Sequence, residues 1–486
     1  MSTNKESPVK AGIGYTIGNY LIRGLGFLTI PIFSRLLSTS DFGIYNTFIS
    51  YEGILFVLEG FAIHSSYKNA RYKYKYIEEG ARPGEDYNTY ISATMILLLS
   101  SLICWILLVN LFSRSFSKLI DLNRLEQNLL ISYSFATAVL TCFNTYVGID
   151  YKYKKFLTIS LINAVGNTCL SLVLILTVFK NKRYMGRIVG TTIPTVFIAI
   201  YIIISFLKRA RPRNVKPFLK WGIKYSLPII PHGISQVILS SFDVIMITRM
   251  VNSSASGIYS FAYTVFSIIR VTATSLDNVW TPWFYEKKHE GNEVSIKKMG
   301  SLFAILMLAY SVSLMLISPE IIKILGPRGY WDASKCVFPL ITGGYFAFLY
   351  NLPACVEYYY EKTKFIMLGT MGAAFINIIL NYFCILRFGY VAAAYTTLVT
   401  YFLYFVFHYF LAKKIEGKFI YSNMVVILVS VGIIFANIIS LLLMNSPIIR
   451  WCLAISIVII TLLLEEKKYG LIKSQIKSKQ VIHNEK

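Results

Sequence analysis

The chain reads as an all-α polytopic membrane protein of about fourteen transmembrane helices, in two pseudo-symmetric six-helix lobes plus two C-terminal helices. Three observations predict it. Of the 486 residues 55% are hydrophobic and only 15% charged, and mean hydropathy is +0.57, outside the range of soluble domains. Apolar runs, each long enough to span a bilayer, follow one another from Ala11 to Leu464. The first half of this array recurs in the second. Arg35, Ser40, Gly43, Ile44 and Tyr45 reappear 214 positions later as Arg249, Ser254, Gly257, Ile258 and Tyr259, both times at a junction between two apolar runs.

The spans are expected at about 11–36, 42–66, 88–111, 127–148, 157–179, 186–207, 223–248, 257–280, 300–322, 337–360, 365–386, 390–412, 421–444 and 448–464. A second match, Tyr151, Lys155 and Phe156 against Tyr360, Lys364 and Phe365, again just before new spans, makes helices 1–6 repeat as 7–12. An even number of spans per repeat makes the repeat parallel, the plan of a two-bundle transporter. The expected domains are an N-terminal lobe (1–207), an inter-lobe loop (208–222), a C-terminal lobe (223–412), and helices 13 and 14 with a basic tail (413–486).

The net charge of +24 would suggest nucleic acid in a soluble protein, but its distribution argues otherwise. With a cytoplasmic N-terminus, inner segments hold about 32 Lys and Arg against about 14 outside, which places both ends in the cytoplasm. Tyrosines mixed with Lys and Arg in YKNARYKYKY (67–76) are interfacial anchors, and no nucleic-acid partner is expected. None of the seven cysteines forms a CxxC pair, so neither a disulfide framework nor a metal site is read, and no cofactor. The first apolar run is too long for a signal-peptide core, so no removable leader is expected. The outer loops leave no room for a catalytic domain. D-x-D and glycine-rich phosphate loops are missing, which argues against a glycosyltransferase or polymerase.

Within the spans, Gly14 and Gly18 form a GxxxG step for close packing, and Pro31, Pro228 and Pro231 mark kinks in the first span of each half. A charge at the bilayer centre costs about 2.5–3.5 kcal/mol, so each needs a reason. Arg23 and Arg270 lie mid-span, one in each half, too deep to reach the interface easily. Two guanidinium forks facing one water-filled cavity would hold a doubly charged anion and repel cations, although Arg23 could instead pair with Glu52. Glu52, Glu59 and Asp243 are further intramembrane acids, and Asn377 and Asn381 share a helix face; these five are candidates for cavity lining or ion coupling, the asparagines alternatively for packing.

With the opening segment KAGIGYTIGNYLIRGLGFLTIPIFSRLLSTSDFGIYNTF, its counterpart ending in GIYSFAYT, and NIILNYFCILRFGYVAAAYTT (377–397), the chain resembles the Wzx-like polysaccharide flippases of the multidrug/oligosaccharidyl-lipid/polysaccharide exporter superfamily. Arg387 stands where that group often has proline. The resemblance implies two lobes that alternate between inward-open and outward-open states and carry undecaprenyl pyrophosphate-linked glycan across a bacterial cytoplasmic membrane for O-antigen, capsule or exopolysaccharide. Arg23 and Arg270 would hold the pyrophosphate, and helices 13 and 14 would form a groove for the lipid tail. The implied partners are the lipid-linked oligosaccharide, the bilayer, H+ or Na+ as coupling ion, and polymerase and chain-length proteins. A multidrug cation antiporter of the same superfamily is the alternative; its usual acidic residue in the first span is missing here, where Arg23 stands instead.

Overall fold

A computed structural model describes residues 8–75, 86–212 and 215–469. Among them every expected span falls on a helix, and there is no strand. Ten helices are long and apolar enough to cross a membrane, and a bent pair would make an eleventh. The remaining expected spans coincide with α1 (Pro8–Leu36), α11 (Ser253–His289) and α18 (Pro447–Tyr469). The apolar parts of α1 and α18 are short, Gly24–Leu36 and Pro447–Thr461. α11 is long but studded with Arg270, Thr272, Thr274, Ser275, Asp277 and Asn278, which dilute its hydropathy.

The chain divides into two compact units, Met1–Gly257 and Ile258–Lys486. The first holds α1, α2 (Thr39–Glu59), α3 (Tyr67–Lys75), α4 (Tyr87–Leu111), α5 (Ser113–Ile120), α6 (Arg124–Ile149), α7 (Tyr153–Thr177), α8 (Arg183–Arg209), α9 (Val215–Ser226) and α10 (Ile230–Met250). α10 packs along α2 and α9 against α4, so the segment that opens the second repeat is built into the first unit. The second unit holds α12 (Glu293–Leu325), α13 (Ser334–Leu349), α14 (Asn351–Tyr359), α15 (Thr363–Phe388), α16 (Ala392–Glu416), α17 (Asn423–Leu442) and α18, with most of α11. There α13 and α15 pack on α16, while α17 and α18 pack on α12.

Local chemistry sets the junctions. Ser38 and Asp41 form a reciprocal capping box that starts α2, and Asn123 with Glu126 does the same for α6. The seventh expected span is interrupted: Pro228 and Pro231 flank the end of α9 and the start of α10, and a 3₁₀ turn, Leu227–Ile229, joins the two. The second expected span also breaks. α2 stops at Glu59, Phe61 and Ala62 take left-handed backbone (φ 50° and 46°), and the chain bends by 51° into Ile63–Tyr74. Neither residue is a glycine, so this break is strained by about 1–2 kcal/mol per residue.

Candidate functional site

The two copies of the repeated motif meet each other inside the first unit. Thr39 Oγ1 lies 2.7 Å from Ser254 Oγ and Ser40 Oγ 2.6 Å from Ser253 Oγ. Adding 214 to one partner and subtracting it from the other exchanges these two bonds, so the contact has local two-fold pseudo-symmetry. The glycines obey the same exchange. A Cβ on Gly43 would fall 1.8 Å from the Ser253 carbonyl oxygen, and one on Gly257 would fall 1.9 Å from that of Thr39. No side chain fits at either position, which gives the repeated glycine a steric reason. Thr47 and Thr248 add a hydroxyl contact of 2.6 Å one step along α2 and α10.

Further along the same two helices a cavity of about 480 Å³ opens between α2, α6 and the start of α10. Gly53 and Gly233 let the helices approach: a Cβ on either would sit 3.1 Å from a valine methyl, of Val237 or Val57. Glu52 lines the cavity and accepts a 2.5 Å hydrogen bond from Thr137 Oγ1 of α6. Thr141 and His64 complete its polar wall. Glu59, two turns on, is fully buried instead of lining the cavity, and neither carboxylate oxygen has a hydrogen-bond partner among the described residues. Asp243 is buried on α10. The side chain of Arg23 lies outside the described residues, so its role with Glu52 is not defined by the coordinates.

In the second unit Arg270 is exposed on α11. Its Nη1 donates to the Tyr263 hydroxyl at 3.3 Å, and among the described residues it makes no ion pair. Asn377 and Asn381 are buried on one face of α15. Asn381 Nδ2 donates to Asn377 Oδ1 at 3.1 Å, and Thr396 of α16 donates its hydroxyl to Asn381 Oδ1. Asn377 Nδ2 has no hydrogen-bond partner among the described residues.

Two buried ion pairs escaped sequence reasoning. Glu357 and His408 are both fully buried, with Nδ1 and Oε1 2.5 Å apart. Arg450 of α18, 1% exposed, grips Glu320 of α12 with both terminal nitrogens at 2.6 and 2.8 Å and donates to the Leu316 and Leu443 carbonyls. Arg450 and Glu320 lie inside expected spans, so the cost of their burial was a usable signal. Together they pin the α17–α18 appendage to α12.

Comparison with known proteins agrees with this architecture. Residues 9–287 match the family described as "Polysaccharide biosynthesis protein". The probable low-salt glycan biosynthesis flippase Agl15 of Haloferax volcanii is 21% identical over 438 residues, covering 88% of this chain and 89% of that protein. Among solved structures, the lipid II flippase MurJ in an inward closed conformation superposes with TM-score 0.71 at 14% identity, covering 95% of this chain and 100% of that one. An inward-facing multidrug resistance MATE family transporter of the MOP superfamily gives 0.59 at 14% identity, covering 84% of this chain and 98% of that one. The fold is therefore that of MOP-superfamily transporters, a multi-pass membrane protein and not an enzyme. A profile matched over more than half of the chain places this protein in the polysaccharide biosynthesis protein family.

Proposed function

We propose that the protein flips an undecaprenyl pyrophosphate-linked oligosaccharide from the inner to the outer leaflet of a bacterial cytoplasmic membrane, supplying O-antigen, capsule or exopolysaccharide synthesis, with both termini in the cytoplasm. The observation that carries the reading is Arg270: a guanidinium in the middle of α11, exposed and without an ion-pair partner among the described residues, in a chain of this family. Such a group suits a pyrophosphate, whose oxygens can take both arms of the fork. Arg23 is its proposed counterpart from the first half. The lobes 1–207 and 223–412 are the bodies proposed to alternate, joined by 208–222, and the serine and glycine contact at the two motif copies is the joint that would open outward. Glu52, Glu59, Asp243 and the pair Asn377–Asn381 remain the proposed cavity and coupling-ion groups, for H+ or Na+.

An apolar cavity of about 340 Å³ between α12, α17 and α18, lined by Leu308, Val312, Phe435 and Ile457 among others, supports a place for the lipid tail on 413–486. A polymerase and a chain-length protein are the proposed downstream partners. The multidrug antiporter alternative has less support, because α1 carries neither Asp nor Glu.

The test is export of surface glycan from cells whose only flippase is this protein. Arg270→Ala abolishes export at equal membrane abundance, and Arg270→Lys retains part of it, since a point charge attracts phosphate but lacks the fork. Equal export by the Ala variant and the parent overturns the reading.

A further inference from the structure

A separate cavity of about 270 Å³ lies in the first unit where α6 ends, α7 begins and α8 ends. Its polar wall is made by Lys154, Lys155 and Thr158 from the first turns of α7 and by Ser205 and Arg209 from the last turns of α8, and no carboxylate lines it. Arg209 is held in place. Its Nη1 donates to the Tyr146 hydroxyl at 3.0 Å, and its guanidinium lies 5.8 Å from the ring centroids of Tyr146 and Phe206. Asp150, just after α6, is engaged by Lys152 at 2.5 Å and Arg71 at 3.4 Å. α7 starts at Lys152 without a side-chain cap, so the positive end of the helix adds to the same wall.

The cations therefore face an anion that the protein does not supply, and the surroundings say what kind. The faces of α7 and α8 that continue from the cavity along the helices are apolar and exposed: Ile162 is 54% exposed, Tyr201 63% and Ile204 47%. A free phosphate has no use for such a face, whereas acyl chains do. Basic pockets between helices at the membrane boundary are the known chemistry of anionic headgroup binding.

We propose that this cavity binds the phosphate of an anionic phospholipid headgroup, with Lys154, Lys155 and Arg209 as its cationic wall and the acyl chains along Ile162 and Ile204. The site shares no residue with the Glu52 cavity or with Arg270, and its test measures binding only, so its failure leaves the flippase reading untouched.

Full-length protein, delipidated in detergent, is incubated with phosphatidylglycerol or phosphatidylcholine, and retained lipid is counted by native mass spectrometry. The parent retains phosphatidylglycerol in preference to phosphatidylcholine. Lys154→Gln/Lys155→Gln/Arg209→Gln lowers that preference by roughly tenfold or more, and Lys154→Gln/Lys155→Gln with Arg209→Lys keeps more of it. Should the triple variant fail to fold, Lys155→Gln alone, on an exposed side chain, lowers the same preference by a smaller factor. The proposal is overturned if the folded variants retain phosphatidylglycerol like the parent. It is equally overturned if millimolar inorganic phosphate displaces the lipid completely, which marks a free-anion site, or if undecaprenyl phosphate is retained over phosphatidylglycerol, which marks a carrier subsite.

Discussion

Each unit buries a glutamate in its apolar interior, and the two are treated in opposite ways. In the second unit Glu357 of α14 meets His408 of α16 at 2.5 Å, and the rings of Tyr404 and Phe407 lie 4.6 and 5.1 Å from the imidazole, edge-on. Gly369 of α15 closes the pocket; a Cβ there would come within 2.7 Å of His408 Nε2. In the first unit Glu59 is equally buried, yet neither of its oxygens has a hydrogen-bond partner among the described residues. It sits at the end of α2, beside the left-handed pair Phe61 and Ala62, and Ala62 lines the neighbouring cavity. A partnered, tightly walled carboxylate holds helices together. One without a partner, next to strained backbone and a cavity, costs stability and suggests a part that rearranges.

If that contrast is right, substitutions at the two places differ in size and kind. His408→Ala leaves Glu357 buried without its partner and lowers the stability of the folded protein by about 3–5 kcal/mol, seen as a drop in melting temperature in detergent. Replacing both by leucine is less damaging than His408→Ala alone, because no uncompensated charge remains; a double variant as unstable as the single breaks the pairing argument. The next effect is smaller and of opposite sign. Ala62→Gly removes the penalty of a left-handed alanine and stabilises by up to about 1 kcal/mol, and any destabilisation shows that the turn is not strained. Smallest on stability is Glu59→Gln, which keeps the shape and changes the melting temperature by the equivalent of less than about 1 kcal/mol. Its effect falls on glycan export, which decreases at equal membrane abundance. A stability loss matching that of His408→Ala, or unchanged export, erases the distinction between the two carboxylates.

Much of the helical framework was legible because a bilayer span is a local property. Some twenty consecutive apolar residues announce themselves without reference to the rest of the chain, and each expected run falls on a helix. The repeated motif was legible as a pattern at two junctions, although its meaning was not: the hydroxyl pairs of Thr39 with Ser254 and Ser40 with Ser253 depend on segments more than two hundred residues apart in sequence. The breaks were harder to read. Pro228 and Pro231 signalled one interruption, but the bend after Glu59 falls on Gly60, Phe61 and Ala62, where only a glycine hints at irregular backbone. Asn377 and Asn381 were placed on one face by their spacing, and the face is occupied by Thr396, a partner that spacing cannot name.

The sequence by itself therefore determined the class of protein, the number and approximate positions of its apolar helices, its duplication, and the short set of intramembrane polar residues, because hydropathy, helical period and internal repetition are carried by neighbouring residues or by identity of pattern. Tertiary structure alone decided which of those polar residues are spent on packing. It joined Glu357 to His408 and Arg450 to Glu320, left Glu59 without a hydrogen-bond partner among the described residues, exposed Arg270, and placed α9 and α10 with the first unit. The physical reason is that the cost of a charge in an apolar interior is set by what lies within a few ångströms of it, and those neighbours come from helices whose proximity no local pattern encodes.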